Sequence, residues 1–246
     1  DASKKGLKII FNYSYYTSIE EIIGLFERIH EKSGTLILIY NLKRDEENNE
    51  LELDFNEDVH DIRIAKKLNN DGIRVRYAQE RAGSSTSSPL PMDFSLRSYC
   101  EILYTSPRIK IYIRNSPVRT KRIRSSLKNA WADHYIPRQN VDVRHTGGVH
   151  GVSEMKSEIV FGMNSGWSKD KNEYGMMLYH HGRLIRSYVK VGVQRHPNSA
   201  GMGVLGVVDC DYLTPTHNKQ DFNHNNLFNS LMESLNKKLN EYWNER

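Results

Sequence analysis

Gly203-Val204-Leu205-Gly206-Val207-Val208-Asp209-Cys210 is a short β-branched run with small residues, and Leu227, Leu231, Leu235 and Leu239 follow it at spacings of four. The run reads as an apolar strand and the leucines as an amphipathic helix. Between them lies Pro215-Thr216-His217-Asn218-Lys219-Gln220-Asp221-Phe222, a polar loop opened by a proline. Loops at such strand ends commonly carry ligands. The Lys219 ammonium is a compact point charge suited to a phosphate, and His217, Asn218 and Gln220 can hydrogen-bond phosphate oxygens or hold the loop in shape. By chemistry alone a solvated turn lysine is the commoner outcome.

Upstream, residues 174–179 and 184–188 read as a hairpin around His181-Gly182-Arg183, with Gly182 free to take positive φ. His180 and His181 are then edge residues of a turn, with no catalytic role. Glu158-Ile159-Val160-Phe161-Gly162 is strand-like, and polar residues 164–171 follow it. The glycines of Thr146-Gly147-Gly148-Val149-His150-Gly151 lack Gly-x-x-x-x-Gly-Lys spacing and read as a turn. A final helix over about residues 223–244 buries Leu227, Leu231, Leu235, Leu239 and Trp243 on one stripe. Sheet segments, a loop and a packing helix predict an α+β domain: a mixed or antiparallel sheet with helices packed mainly on one face.

At 246 residues and 38% hydrophobic composition the chain can build a real core. It contains no apolar run near the roughly eighteen residues that span a bilayer, and its beginning lacks a signal-peptide pattern, so no membrane association is expected. Cys100 and Cys210 both read as core, which suggests a reducing compartment. His145, His150, His180 and His181 lack metal-ligand spacing, and no metal site is expected.

The net charge is +5, unevenly spread. Residues 106–146 hold ten basic residues against Asp133 and Asp142, a local charge of +8 that leaves the remainder at −3. Acids gather in Asp45-Glu46-Glu47-Asn48-Asn49-Glu50 and over residues 57–61. Arg108-Ile109-Lys110-Ile111-Tyr112-Ile113-Arg114 alternates strictly, with isoleucines inward and a positive face outward. A turn at Asn115-Ser116-Pro117 leads into residues 118–123 as the hairpin partner. Lys110, Arg119, Lys121, Arg122 and Arg124 are the candidate nucleic-acid-binding residues; a solvated strand face accounts for them equally well.

Nearer the beginning, Thr17-Ser18-Ile19-Glu20-Glu21 opens like a capped helix running to about residue 32, ended by Gly34. Thr35-Leu36-Ile37-Leu38-Ile39-Tyr40 is apolar throughout, as a central strand buried on both faces would be. Residues 51–55 form a short alternating strand, and Gly83-Ser84-Ser85-Thr86-Ser87-Ser88-Pro89 an exposed loop. Phe94, Leu96, Tyr99, Ile102 and Leu103 have helical spacing after Asp93, a candidate N-cap.

The loop Thr216-His217-Asn218-Lys219-Gln220-Asp221-Phe222 resembles the signature of microrchidia (MORC) nuclear ATPases. Three further blocks match that family in the same order: Gly34-Thr35-Leu36-Ile37-Leu38-Ile39-Tyr40-Asn41-Leu42, Ser95-Leu96-Arg97-Ser98-Tyr99-Cys100-Glu101-Ile102-Leu103-Tyr104, and Tyr174-Gly175-Met176-Met177-Leu178-Tyr179-His180-His181-Gly182-Arg183-Leu184-Ile185. The resemblance implies that residues 1–42 are the tail of a GHKL-type ATP-binding domain, the rest of which is missing, and that residues 43–246 are a ribosomal protein S5-like transducer domain. Such domains send one lysine, matched here by Lys219, to the γ-phosphate of ATP in the neighbouring domain. The expected partners are an N-terminal ATP-binding domain of the same chain, a homodimer partner, and DNA or chromatin in the nucleus. ATP and magnesium are expected in the full-length protein and no cofactor in this fragment, which by itself should not hydrolyse ATP. The rival reading is a stand-alone S5-like module that binds a phosphate backbone without ATP machinery.

Overall fold

The structure, a computed structural model, describes residues 2–46, 49–68, 74–76, 94–107, 109–137, 156–166, 173–196 and 200–245. The chain divides into two units, residues 1–50 and 51–246.

The first unit contains helices α1 (Ala2–Tyr13) and α2 (Ile19–Phe26). Ser18 caps α2 in a full capping box: its Oγ accepts from the Glu21 N–H at 3.2 Å, and the Glu21 carboxylate accepts from the Ser18 N–H at 3.3 Å. The expected helix to residue 32 stops at Phe26. There the Arg28 and Ile29 N–H groups turn to the carbonyls three residues back, at 3.1 Å each, and tighten the last turn. Residues 35–40, expected as a doubly buried central strand, form no strand, and Ile37 and Ile39 are 75% and 76% exposed. A strand exists only through pairing, and this unit supplies no neighbouring strand among its described residues.

In the second unit, β1 (Leu53–Asp54) pairs antiparallel with β2 (Arg63–Ile64), and β3 (Lys66–Leu68) with β4 (Arg74–Arg76). Helix α3 (Leu96–Ile102) is capped by Ser95, whose Oγ accepts from the Ser98 N–H at 2.9 Å. Asp93, the expected cap, lies outside the described residues, as do Arg108 and the loops over residues 83–89 and 146–151. The expected basic hairpin is cut short: only β5 (Tyr112–Ile113) and β6 (Ser116–Pro117) pair, and Ile109 is 58% exposed. Arg114 and Asn115, at φ 50° and 62°, make the turn. The Val118 N–H still donates to the Ile111 carbonyl at 2.8 Å, but beyond it the chain leaves the ladder: the Lys121 N–H donates to the Glu101 carbonyl at 2.7 Å, which draws the chain to α3 and into α4 (Ile123–Ser126).

The main sheet comprises β7 (Leu127–Tyr135), β8 (Ser157–Asn164), β9 (Gly175–His180), β10 (Arg183–Val189) and β11 (Val204–Asp209), in the order β10-β9-β11-β8-β7. Only β9 and β11 run parallel, so the sheet is mixed. The β9–β10 turn carries positive φ at both His181 (48°) and Gly182 (73°), the backbone of a type I′ hairpin. Period-two alternation sends Met176, Leu178, Val204 and Val208 to one core and Met177, Tyr179, Leu205 and Val207 to the other.

The long helix α5 (Asn226–Asn244) fills the first core with Phe228, Leu231, Leu235, Leu239 and Tyr242. Leu227 and Trp243, expected at the two ends of the stripe, are only partly buried. A strict spacing of four drifts round a helix of 3.6 residues per turn, and the mixture of threes and fours holds the buried face in register. The second core is smaller, closed by Tyr99, Ile102 and Leu103 of α3 and its flank and by Ile123 of α4. The unit is α+β, with its long helix on one face and two short helices on the other.

Candidate functional site: the lysine loop

Beyond β11 the Cys210 N–H still donates to the Tyr179 carbonyl at 2.7 Å, which launches the next segment from the end of the two central strands. Pro215 and Phe222 form an isolated antiparallel bridge at the loop's base. Inside it the Thr216 N–H donates to the Asp221 carbonyl at 2.7 Å and the Lys219 N–H to the Thr216 carbonyl at 3.0 Å. Asn218 Oδ1 lies 2.8 Å from Thr216 Oγ1 and accepts from the Gln220 N–H at 3.1 Å, so this side chain shapes the loop from within. Lys219 itself has φ 58°, a left-handed conformation that tightens the turn. The side chains of His217, Asn218, Lys219 and Gln220 are all exposed.

Two anchors fix the loop below its apex. Phe222 is 1% exposed, with its ring 6.1 Å from Phe228 and 6.4 Å from His180. The Asp221 carboxylate lies 3.3 Å from both Arg186 of β10 and His224. Beside this loop the β9–β10 turn brings His180 and His181 within 4.3 Å of each other, and the Asp211 carboxylate accepts from the His181 N–H at 2.5 Å. Burial, and then the charges of His181 and Lys219, push His180 below the ordinary histidine range. Reading these histidines as turn edges describes their backbone but misses their nearness to Lys219; parallel pairing of β9 with β11 creates it, and no local pattern encodes that.

The basic residues are brought together less completely. Lys110, Arg119 and Arg122 are exposed. Lys121 pairs with Glu101 at 2.6 Å, and Arg124 bridges Glu158 and Asp209 at 2.8 Å each. Arg124 thereby clamps β8 to β11. Burial raises the Asp209 carboxyl above the usual carboxylate range, and the Arg124 charge offsets part of that shift.

A rigid loop with an ammonium at its exposed apex suits contact with a terminal phosphate, because its groups need little further ordering. Among the described residues no three His, Cys, Asp or Glu side chains converge to hold a metal ion. The residues of the loop fit one contact to a nucleotide's phosphate end. Within the described residues no helix is long and apolar enough to cross a membrane.

A family model described as Morc6 ribosomal protein S5 domain 2-like matches residues 94–243. The chain is 37% identical over 244 residues to MORC family CW-type zinc finger protein 3 of Mus musculus, covering 99% of this chain and 24% of that protein. It is 29% identical over 245 residues to Protein MICRORCHIDIA 4 of Arabidopsis thaliana, covering 99% of the chain and 29% of the relative. Against ATPase MORC2 of Homo sapiens it is 27% identical over 305 residues, with 97% and 28% covered. The chain thus spans about a quarter of the length of these relatives.

Proposed function

Since the chain belongs to the microrchidia (MORC) family and carries its ribosomal protein S5-like domain, we propose that it is the transducer of a nuclear ATPase, with Lys219 as the residue that meets the γ-phosphate. The observation that carries this reading is an exposed ammonium on a loop already ordered by its own hydrogen bonds. Residues 43–246 form the transducer, and residues 1–42 are the tail of an ATP-binding domain; the bare Ile37 and Ile39 support this, as strand residues without their sheet. That upstream domain supplies the adenine pocket, the general base and the magnesium ligands. Bound ATP provides the terminal phosphate charge that Lys219 stabilises. His217 and Gln220 flank that contact, and Asn218 keeps the turn closed.

Engagement of the lysine only while the γ-phosphate is present holds the two domains in one arrangement before hydrolysis and releases them after it. ATP binding is thereby coupled to homodimerisation, and through it to DNA or chromatin compaction and gene silencing in the nucleus. Lys110, Arg119 and Arg122 give weak, sequence-independent contact with DNA.

The test joins the chain to its upstream ATP-binding domain. Lys219→Ala is expected to lower ATP turnover by about tenfold to a thousandfold with the fold intact, the upper figure corresponding to roughly 4 kcal/mol of preorganised charge stabilisation. Lys219→Arg should rescue poorly, since a planar fork does not replace a compact ammonium. Turnover and nucleotide-driven dimerisation equal to those of the unaltered protein would return Lys219 to a solvated turn. Salt-dependent DNA binding that persists without any ATP-linked effect would favour the stand-alone nucleic-acid module.

A further inference from the structure

A groove of about 720 Å³ opens between β10 and α5. That volume lies in the range of small-molecule sites, roughly 300–1,000 Å³. Val189, Phe228 and Met232 give it an apolar floor. Around this floor stand Arg186, Arg195 and His224, against the single carboxylate of Glu233, and Lys190 borders it with its ammonium donating to the Tyr174 carbonyl and lying 3.0 Å over the Tyr174 ring. The cations come from a strand, from the turn after it and from the entrance to a helix, so their charges converge on one space.

The loop-side part of this rim is not independent of Lys219. Arg186 and His224 are the two residues that grip Asp221, each at 3.3 Å, and the Asp221 carbonyl closes the lysine loop. The Arg186 Nε–H is buried and meets no acceptor among the described residues. His224 stacks on Phe228 at 4.6 Å, which sets its ring at the edge of the groove floor.

We propose that this groove binds a small polyphosphorylated ligand, and that binding draws Arg186 and His224 away from Asp221 and loosens the Lys219 loop. Two guanidinium groups and an imidazole surrounding one cavity suit several phosphates on one compact molecule, and the apolar floor takes its carbon body. An extended acidic peptide fits less well. Such a peptide adds to a free strand edge, whereas the start of β10 is already occupied: the Leu184 N–H donates to the Leu103 carbonyl at 2.8 Å and the Thr105 N–H to the Gly182 carbonyl at 2.9 Å. Burial also pushes the Lys190 amine down to about 7, a cost that a bound anion relieves. The effect on turnover rests on the Lys219 reading; the binding does not.

The experiment titrates the 246-residue chain with inorganic tripolyphosphate by calorimetry and follows amide hydrogen exchange at Thr216 and Lys219. Arg195→Glu, which leaves the loop's own contacts in place, is expected to weaken binding by about tenfold or more, and Lys190→Gln to weaken it in the same direction. At saturation the two loop amides should exchange faster. Lys219→Ala should still bind, so the groove stands even where the turnover reading fails. Undiminished affinity in Arg195→Glu and Lys190→Gln, unchanged loop exchange at saturation, loss of binding in Lys219→Ala, or equal affinity for a hexaglutamate peptide would each overturn the proposal.

Discussion

The Asp221 carboxylate lies 3.3 Å from the Arg186 guanidinium, which ties the closing residue of the lysine loop to an edge strand of the main sheet. The backbone of Asp221 shuts the loop through Thr216 while its side chain is held from outside by Arg186 and His224. The position of Lys219 thus depends on an ion pair between residues far apart in the chain.

Asp221→Ala is expected to cost about 1–2 kcal/mol, because it removes a partly buried ion pair and leaves Arg186 unpaired. Thermal unfolding measures the loss, and hydrogen exchange should show the Thr216 and Lys219 amides losing protection. Full protection in the variant would mean that the Phe222 anchor alone holds the loop.

Lys219 occupies a left-handed backbone conformation at φ 58°, which glycine adopts without strain. Lys219→Gly should therefore stabilise the chain by up to about 1 kcal/mol while reducing turnover of the two-domain protein as severely as Lys219→Ala. Calorimetric melting together with turnover tests the pair of effects. A drop in melting temperature would show that the lysine side chain itself contributes to the fold.

Gly175 has φ 122°, and a Cβ there would stand 2.7 Å from the Tyr188 carbonyl carbon and 2.9 Å from the Val189 oxygen. Both obstacles are backbone in the adjacent strand and cannot swing aside. Gly175→Ala should cost about 3 kcal/mol or more. Gly182→Ala, at φ 73° and facing only Thr105 Oγ1 at 3.0 Å, should cost about 1 kcal/mol. Denaturant unfolding of the two variants checks the order.

Lys190 has its amine lowered from 10.5 to about 7, chiefly by burial. Between those values the unfolded chain holds a proton that the folded chain does not, so this group's contribution to stability rises with pH across the window. Lys190→Met should gain most over the unaltered chain below pH 7, with the difference shrinking as pH rises toward 10.5. A difference in melting temperature that stays constant with pH would place the amine in water.

Weak DNA binding by this chain should fall with log salt at a slope of about −2 to −3, as two or three phosphates are neutralised. Charge reversal at Arg119 and Arg122 should flatten the slope more than the same change at Lys121, whose ammonium is held by Glu101 at 2.6 Å. Arg124→Glu should act first on stability, since it sets a third acid beside Glu158 and Asp209. Equal losses at all four positions would mean that the ion pairs open on contact with DNA.

What was legible in the sequence was short-ranged: the β9–β10 hairpin with Gly182 at its turn, the apolar β11, the capped start of α2 within residues 17–21, the long C-terminal helix, and the loop that carries Lys219. Each is set by neighbours within a few residues, through φ preference, periodicity or a capping side chain. Tertiary structure decided the rest. An apolar run becomes a strand only beside another strand, so residues 35–40 stay bare. The basic middle of the chain reads as one positive strip until Glu101, Glu158 and Asp209 arrive from other elements and claim two of its members. Ser95 caps α3 and also donates to the buried Asp61 carboxylate, a partner 34 residues earlier. Lys219 was visible as a charge in a loop; its setting, between a histidine turn and the Arg186–Asp221 pair, exists only because β9 and β11 run parallel, and distances through space carry no signature along the chain.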